Sequence, residues 1–215
     1  MSMKKILAIA LLVICCGWNY SQAQSFGVKA GFNLSTMTHD GNGSNVKHPY
    51  QPGFTAGIFG EYDFTDMFGL SAEVLYSMQG YKSNAESANY KKTVLTHMLK
   101  VPVLFNINLL DERLNIQAGP QFGFILAERI KNSDWDGNNK TDDKVDKDGS
   151  PYGYNMFDLA LAVGANFYIT ENLFAGARYE LGFTDTQKQY KFSSNSVENF
   201  NSKFNVITLM VGYRF

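Results

Sequence analysis

Eight stretches of this 215-residue chain place apolar side chains at every second position. In "FGVKAGFNLS", Phe26, Val28, Ala30, Phe32 and Leu34 fall on one side, and Gly27, Lys29, Gly31, Asn33 and Ser35 on the other. The same pattern runs through Phe54–Phe64, Leu70–Gln79, Leu99–Ile107, Leu114–Leu126, Phe157–Ile169, Leu173–Phe183 and Asn205–Phe215. A period of two is the mark of an extended strand with two unlike faces, because successive side chains of a strand point opposite ways. Abundant Gly (19), Phe (17) and Tyr (12) fit strands and turns better than helices.

The connections alternate as well. "TDM", "LLDE" and "TEN" are tight, whereas the links after the first, third, fifth and seventh strands are long and polar. The longest is "NSDWDGNNKTDDKVDKDGSPYG", from Asn132 to Gly153. Short turns at one end and long loops at the other are the layout of an up-and-down outer-membrane barrel. Beyond residue 23 no apolar run approaches the roughly 18 residues of a helical span. The expected fold is all-β: an eight-stranded antiparallel up-and-down transmembrane β-barrel.

The charges decide which face is inside. The apolar face carries almost none, which suits lipid, where a charge at mid-depth costs about 2–4 kcal/mol. The other face carries glycines together with Glu61, Glu73, Lys100, Arg178 and Glu180. A barrel of eight strands has an interior that side chains can fill, so these residues are expected to meet across the lumen. A soluble ligand-carrying barrel would have the reverse arrangement, polar outside and apolar within. Phe26, Phe64, Phe167, Tyr213 and Phe215 gather at the short-turn edge, where a lipid interface would lie.

Residues 1–23 are expected to be a cleaved signal peptide, with 24–215 as the barrel domain. Lys4 and Lys5 precede the apolar core "ILAIALLVICC", and Ser21 and Ala23 supply the small residues before a cut. Both cysteines, Cys15 and Cys16, fall in that segment, so a barrel starting at Gln24 has no disulfide. A formal charge of −1 gives no general attraction for polyanions, and nucleic acid is not an expected partner.

The closing "VGYRF" puts Tyr213 and Phe215 on one face of the last strand. It resembles the C-terminal signature that the barrel-assembly machinery reads in outer-membrane proteins. The ordered set "GVKAGFNLS", "LKVPVLFNI", "AGPQFGFIL", "FDLALAVGANF" and "RYELGFTD" is similar to the PorT-like outer-membrane β-barrel family of Bacteroidetes, also described as porin family or outer-membrane β-barrel domain. The resemblance implies a barrel in the outer membrane of a Gram-negative envelope. It also implies possible partners in a secretion system or at the cell surface, beside the membrane lipid itself.

Motifs for chemistry are sparse. The acidic loop from Asp134 has Asn139 and Val145 where a calcium loop of the EF-hand type requires glycine and glutamate. His39, His48 and His97 are not spaced with a serine and a carboxylate as a catalytic triad, and His97 falls on the apolar face. No catalytic, cofactor-binding or metal-binding residues are expected. The expected function is a structural or partner-docking barrel with a filled lumen and exposed loops. The alternatives are a narrow solute channel and, more remotely, a lipid-modifying enzyme.

Overall fold

The computed structural model describes residues 24–41, 44–47, 49–85, 90–134, 139–142, 157–184 and 201–215. The expected signal segment lies outside them, as does most of the Asp134–Asp148 loop. Eight long strands form the wall: β1 (Gln24–Gly41), β3 (Gln51–Asp63), β4 (Phe68–Ala85), β5 (Tyr90–Leu109), β6 (Leu114–Asp134), β8 (Phe157–Tyr168), β9 (Leu173–Gly182) and β10 (Asn201–Arg214). Two short strands, β2 (Ser44–Lys47) and β7 (Asn139–Asp142), pair with the distal ends of β1 and β6. Each long strand pairs antiparallel with its successor, and β10 returns to β1 over Gly27–Asp40. The sheet therefore closes, and the wall has no free edge for a lipid to meet.

Burial alternates along most of the described wall, apart from runs such as Ser35–Met37 in β1 and Gln79–Tyr81 in β4, where consecutive residues are all buried. In β8 the outward Phe157, Leu161, Val163 and Phe167 are exposed while Asp158, Ala160, Ala162, Asn166 and Tyr168 are buried. The register slips once, between His97 and Met98, where Leu126 of β6 is the extra residue of a bulge. β1, β4, β5 and β6 are the longest strands, at 18, 18, 20 and 21 residues, against 12 and 10 for β8 and β9. The wall therefore stands lowest at β8 and β9.

The β5–β6 turn holds Leu110, Asp111 and Glu112 all in the left-handed region, with φ of 55°, 51° and 65°. The Arg113 amide donates to the Leu110 carbonyl at 3.2 Å and closes this turn. Left-handed backbone is costly for side chains with a Cβ, and nothing in "LLDER" signals it.

The inward face is less polar than expected. At the short-turn end Phe59, Tyr168 and Phe174 form an aromatic layer, and near the long-loop end Met37, Tyr81, Val94 and Phe204 form a second apolar cluster. Two glycines make room for the first layer. Gly27 pairs with Phe59, and Gly212 with Phe174. A Cβ on Gly27 would lie 2.3 Å from the Phe59 ring, and one on Gly212 2.2 Å from the Phe174 ring. Lys29, Glu73, Arg178, Lys100 and Glu180 occupy the space between the two layers.

Candidate functional site: the charged lumen

Period-two strands deliver alternate side chains to the barrel axis, so each inward ionic group arrives by register and not by a loop. Glu73 of β4 is the centre of the larger cluster. Arg178 of β9 reaches it across the barrel with two parallel bonds of 2.7 Å, Nη1 to Oε2 and Nη2 to Oε1. Lys29 of β1 donates to the same carboxylate at 2.8 Å. The Arg178 Nη2 also donates to Gln117 Oε1 at 3.0 Å. All of these side chains are buried. Lys29 lies 4.6 Å from the centre of the Phe59 ring, so its ammonium is covered by an aromatic face as well as by a carboxylate.

The second cluster sits further toward the long loops. Lys100 of β5 donates to Glu180 Oε2 at 2.6 Å, and Gln121 Nε2 donates to the same oxygen at 2.9 Å. Asp158 accepts from the Thr184 hydroxyl at 2.8 Å, and that hydroxyl in turn accepts the Leu159 amide. Isolated charges could not be held in so narrow a space. A buried ion must be paired and hydrogen-bonded to offset its desolvation.

The structure brings Glu73 together with Arg178, and Lys100 together with Glu180. It does not join the four into one network, and Arg178 bonds to one glutamate, not two. Glu61 stands apart near the short turns, where the Tyr168 hydroxyl is 3.4 Å away. Lys29 is the principal residue the sequence reasoning left out of the cluster. Its signal was present, since it is an inward-facing cation two residues beyond Gly27, where the other inward residues up to Ser35 are small or polar. Gln117 and Gln121 were placed inward by their alternation but not assigned as ligands of the charges.

At the short-turn mouth, a cavity of about 650 Å³ is lined by the β5–β6 and β8–β9 turns with Tyr168 and Arg214. The Arg214 guanidinium lies 4.5 Å from the Tyr168 ring centre and donates to the Glu171 carbonyl at 3.0 Å. Outward at the same edge, Tyr213 and Phe215 meet edge to face at 5.4 Å, and the Phe215 amide donates to the Phe26 carbonyl at 2.7 Å. His97 is on the outer face, where its Nδ1 is 2.5 Å from the Tyr76 hydroxyl, and no serine or carboxylate bond to it is seen among the described residues. His39 has its backbone in β1, and His48 lies outside the described residues.

A family model described as outer membrane protein beta-barrel domain matches residues 20–188. The chain belongs to this outer-membrane β-barrel family. Among solved structures it is similar to Neisserial surface protein A, at 14% identity and a TM-score of 0.50, over 90% of this chain and 100% of that one. It is also similar to Ail of Yersinia pestis, at 18% identity and a TM-score of 0.47, over 90% of this chain and 100% of that chain. The likeness to Neisserial surface protein A speaks to fold alone. No curated protein sequence matches the chain. The protein is thus a small barrel of the outer membrane, with its exposed aromatic and aliphatic face toward lipid and its charges within.

Proposed function

We propose that this barrel is a structural or partner-docking protein of the outer membrane, with a lumen closed to solutes. The observation that carries this is the Lys29–Glu73–Arg178 cluster, which joins opposite walls of the barrel between an aromatic layer and the Lys100–Glu180 pair. Lys29, Glu73, Arg178, Lys100 and Glu180 each face a counter-charge a hydrogen bond away, which ties these side chains to one another across the lumen. What the protein offers to partners is then its rim. The short turns face the periplasm and the long loops the exterior, as in other barrels of this build. The ordered motifs resemble those of the PorT-like proteins of Bacteroidetes, and that resemblance alone suggests a partner in a secretion system or at the cell surface. Tyr213 and Phe215 serve recognition by the assembly machinery, and their exposure at the lipid edge supports that role.

A narrow solute path is the second reading. It is favoured by Asn106 Nδ2, Gln117 Nε2, Gln121 Oε1 and Thr96 Oγ1, which are buried and have no protein partner, since buried polar atoms of this kind are ordinarily satisfied by water. A liposome-swelling assay with small sugars and amino acids separates the two. The closed barrel gives no swelling above empty liposomes. Swelling that scales inversely with solute size supports the channel. Protease applied to intact cells should cut between Asp134 and Asp148; cleavage only after lysis reverses the orientation.

A further inference from the structure

The paired charges of the lumen leave one inward carboxylate over. Glu61 is buried, and among the described residues it has no ion pair; the Tyr168 hydroxyl donates to it at 3.4 Å. The groups beside it are polar and only partly satisfied. Asp63, the next inward residue toward the β3–β4 turn, accepts from Asn108 Nδ2 at 3.2 Å, and Asn108 Oδ1 accepts from Asn115 Nδ2 at 2.6 Å. That chain leaves the Asn115 Oδ1 buried without a partner. Ser25 pairs with Glu61 in the β1–β3 register, and its hydroxyl is also buried and unpartnered. Asn106 accepts from the Ser71 hydroxyl but has no acceptor for its own Nδ2. Buried polar atoms without partners are uncommon and mark a place where another molecule belongs.

These groups lie beneath the 650 Å³ cavity of the short-turn mouth. Tyr168 lines the cavity, and its hydroxyl reaches Glu61. Arg113 lines it too, and Asn115 is the next inward residue along β6. The walls are braced. The Tyr168 amide donates to the Arg113 carbonyl at 2.9 Å, which ties the β5–β6 and β8–β9 turns together. The Arg214 amide donates to the Asn172 carbonyl at 2.8 Å, and Asn172 Nδ2 returns a bond to the Arg214 carbonyl at 2.7 Å. A ligand entering here would meet a preformed site and would not have to order it.

The cavity is acidic. Asp111, Glu112 and Glu171 are exposed on its wall and have no ion pair among the described residues. With Glu61 and Asp63 beneath them, carboxylates outnumber the guanidiniums of Arg113 and Arg214 by five to two. Arg214 is already engaged with the Tyr168 ring and the Glu171 carbonyl. A recess lined by one sign of charge raises the local concentration of the opposite sign. An ammonium supplies donors only, which matches the carboxylates and the free oxygens of Asn115 and Ser25. The free donors point to more than a bare cation. Arg113 and Asn106 Nδ2 would oppose a metal ion, but they suit the carbonyl oxygens of a peptide.

We infer that the short-turn mouth is a docking site for a basic peptide segment, with one lysine side chain entering the cavity. The ammonium on its flexible stem reaches past the rim to Glu61 and the Asn115 oxygen. The peptide backbone lies along Asp111, Glu112 and Glu171, with Arg113 donating to one of its carbonyls. This deepens the partner-docking reading and rests on it for its biological use, since it names the end of the barrel and the chemistry of the partner. The mouth is the same whether or not the lumen conducts.

The test uses the full barrel in phosphatidylcholine nanodiscs at low salt. The probe is the tripeptide Ala-Lys-Ala, amidated at its C-terminus and carrying a neutral dye at its N-terminus, followed by fluorescence anisotropy. The wild type should bind it at least roughly tenfold more tightly than the same peptide with acetyl-lysine, as one charge-assisted contact would give. Glu61→Gln should lose most of that preference. So should the exposed-turn variant Asp111→Asn/Glu112→Gln/Glu171→Gln, which leaves every lumen residue in place. Asp66→Asn, an acid of the β3–β4 turn outside the cavity, should keep it. Equal binding of the two peptides by the wild type overturns the proposal, as does a full preference in the exposed-turn variant or an equal loss in Asp66→Asn. Displacement of the peptide by magnesium chloride, but not by sodium chloride of the same ionic strength, also overturns it, because the site would then be one for a divalent ion. Folding of each variant is read from its heat-modifiable gel band. Liposome swelling reports separately on the closed lumen, so the two readings can fail independently.

Discussion

Replacing Glu73 with glutamine should destabilise this barrel more than removing its arginine partner. The reason is charge count. Glu73 is one anion between two cations, Lys29 at 2.8 Å and Arg178 at 2.7 Å. Glu73→Gln removes the counter-charge for both and leaves an ammonium and a guanidinium facing the same amide. Arg178→Met forfeits two bonds to Glu73 and one to Gln117 but leaves a neutral Lys29–Glu73 pair. Breaking a buried pair so that charge is left uncompensated costs about 3–5 kcal/mol, and a hydrogen bond to a charged group contributes about 1.5–3 kcal/mol. Water entering the lumen offsets part of each loss. We expect about 4 kcal/mol for Glu73→Gln, near a thousandfold in the unfolding constant, and about 2 kcal/mol for Arg178→Met. Adding Lys29→Met to Glu73→Gln should recover part of the loss, since one cation then remains where there were two. Equilibrium urea unfolding in lipid vesicles, followed by the gel shift between folded and unfolded bands, measures all three. If Arg178→Met costs as much as Glu73→Gln, or Lys29→Met deepens the loss, charge balance does not govern this cluster.

Gly212→Ala should cost about 1–3 kcal/mol, because its Cβ would meet the Phe174 ring, and Phe174→Leu in the same chain should relieve most of that. Leu110→Gly should stabilise the barrel by up to about 1 kcal/mol, since it removes a Cβ from a left-handed residue at an exposed turn; a loss in the same urea titration would show that the turn is not strained. Deleting Phe215 should lower the yield of heat-modifiable barrel in cells while leaving the refolded protein's stability nearly unchanged. An unaltered yield would remove Phe215 from any part in assembly.

The wall of this barrel was legible because a period of two cannot be satisfied by a helix. Every outward residue read from "FGVKAGFNLS" or "FDLALAVGANF" lies on the outer surface. The inward position of Lys100 and Glu180 follows from the same parity. Which cation meets which anion did not follow, because partners across the lumen depend on tilt and stagger, which alternation within one strand does not encode. Lys29 is the clearest case: parity put it inward, but only the closed geometry brings it diagonally across β3 to Glu73. The interior rings of Phe59 and Phe174 were hidden for a related reason. An aromatic residue on a polar face looks like an exception until the register sets it opposite Gly27 or Gly212. The left-handed run at Leu110 had no glycine or asparagine to announce it.

The central claim is that paired charges close the lumen, and single-channel recording in planar bilayers tests it most directly. The wild-type barrel should give no steady conductance at neutral pH. Glu73→Gln, which leaves Lys29 and Arg178 without a shared anion, should give brief anion-selective openings. A sustained ohmic conductance of the wild type, unchanged by Glu73→Gln, would contradict the account.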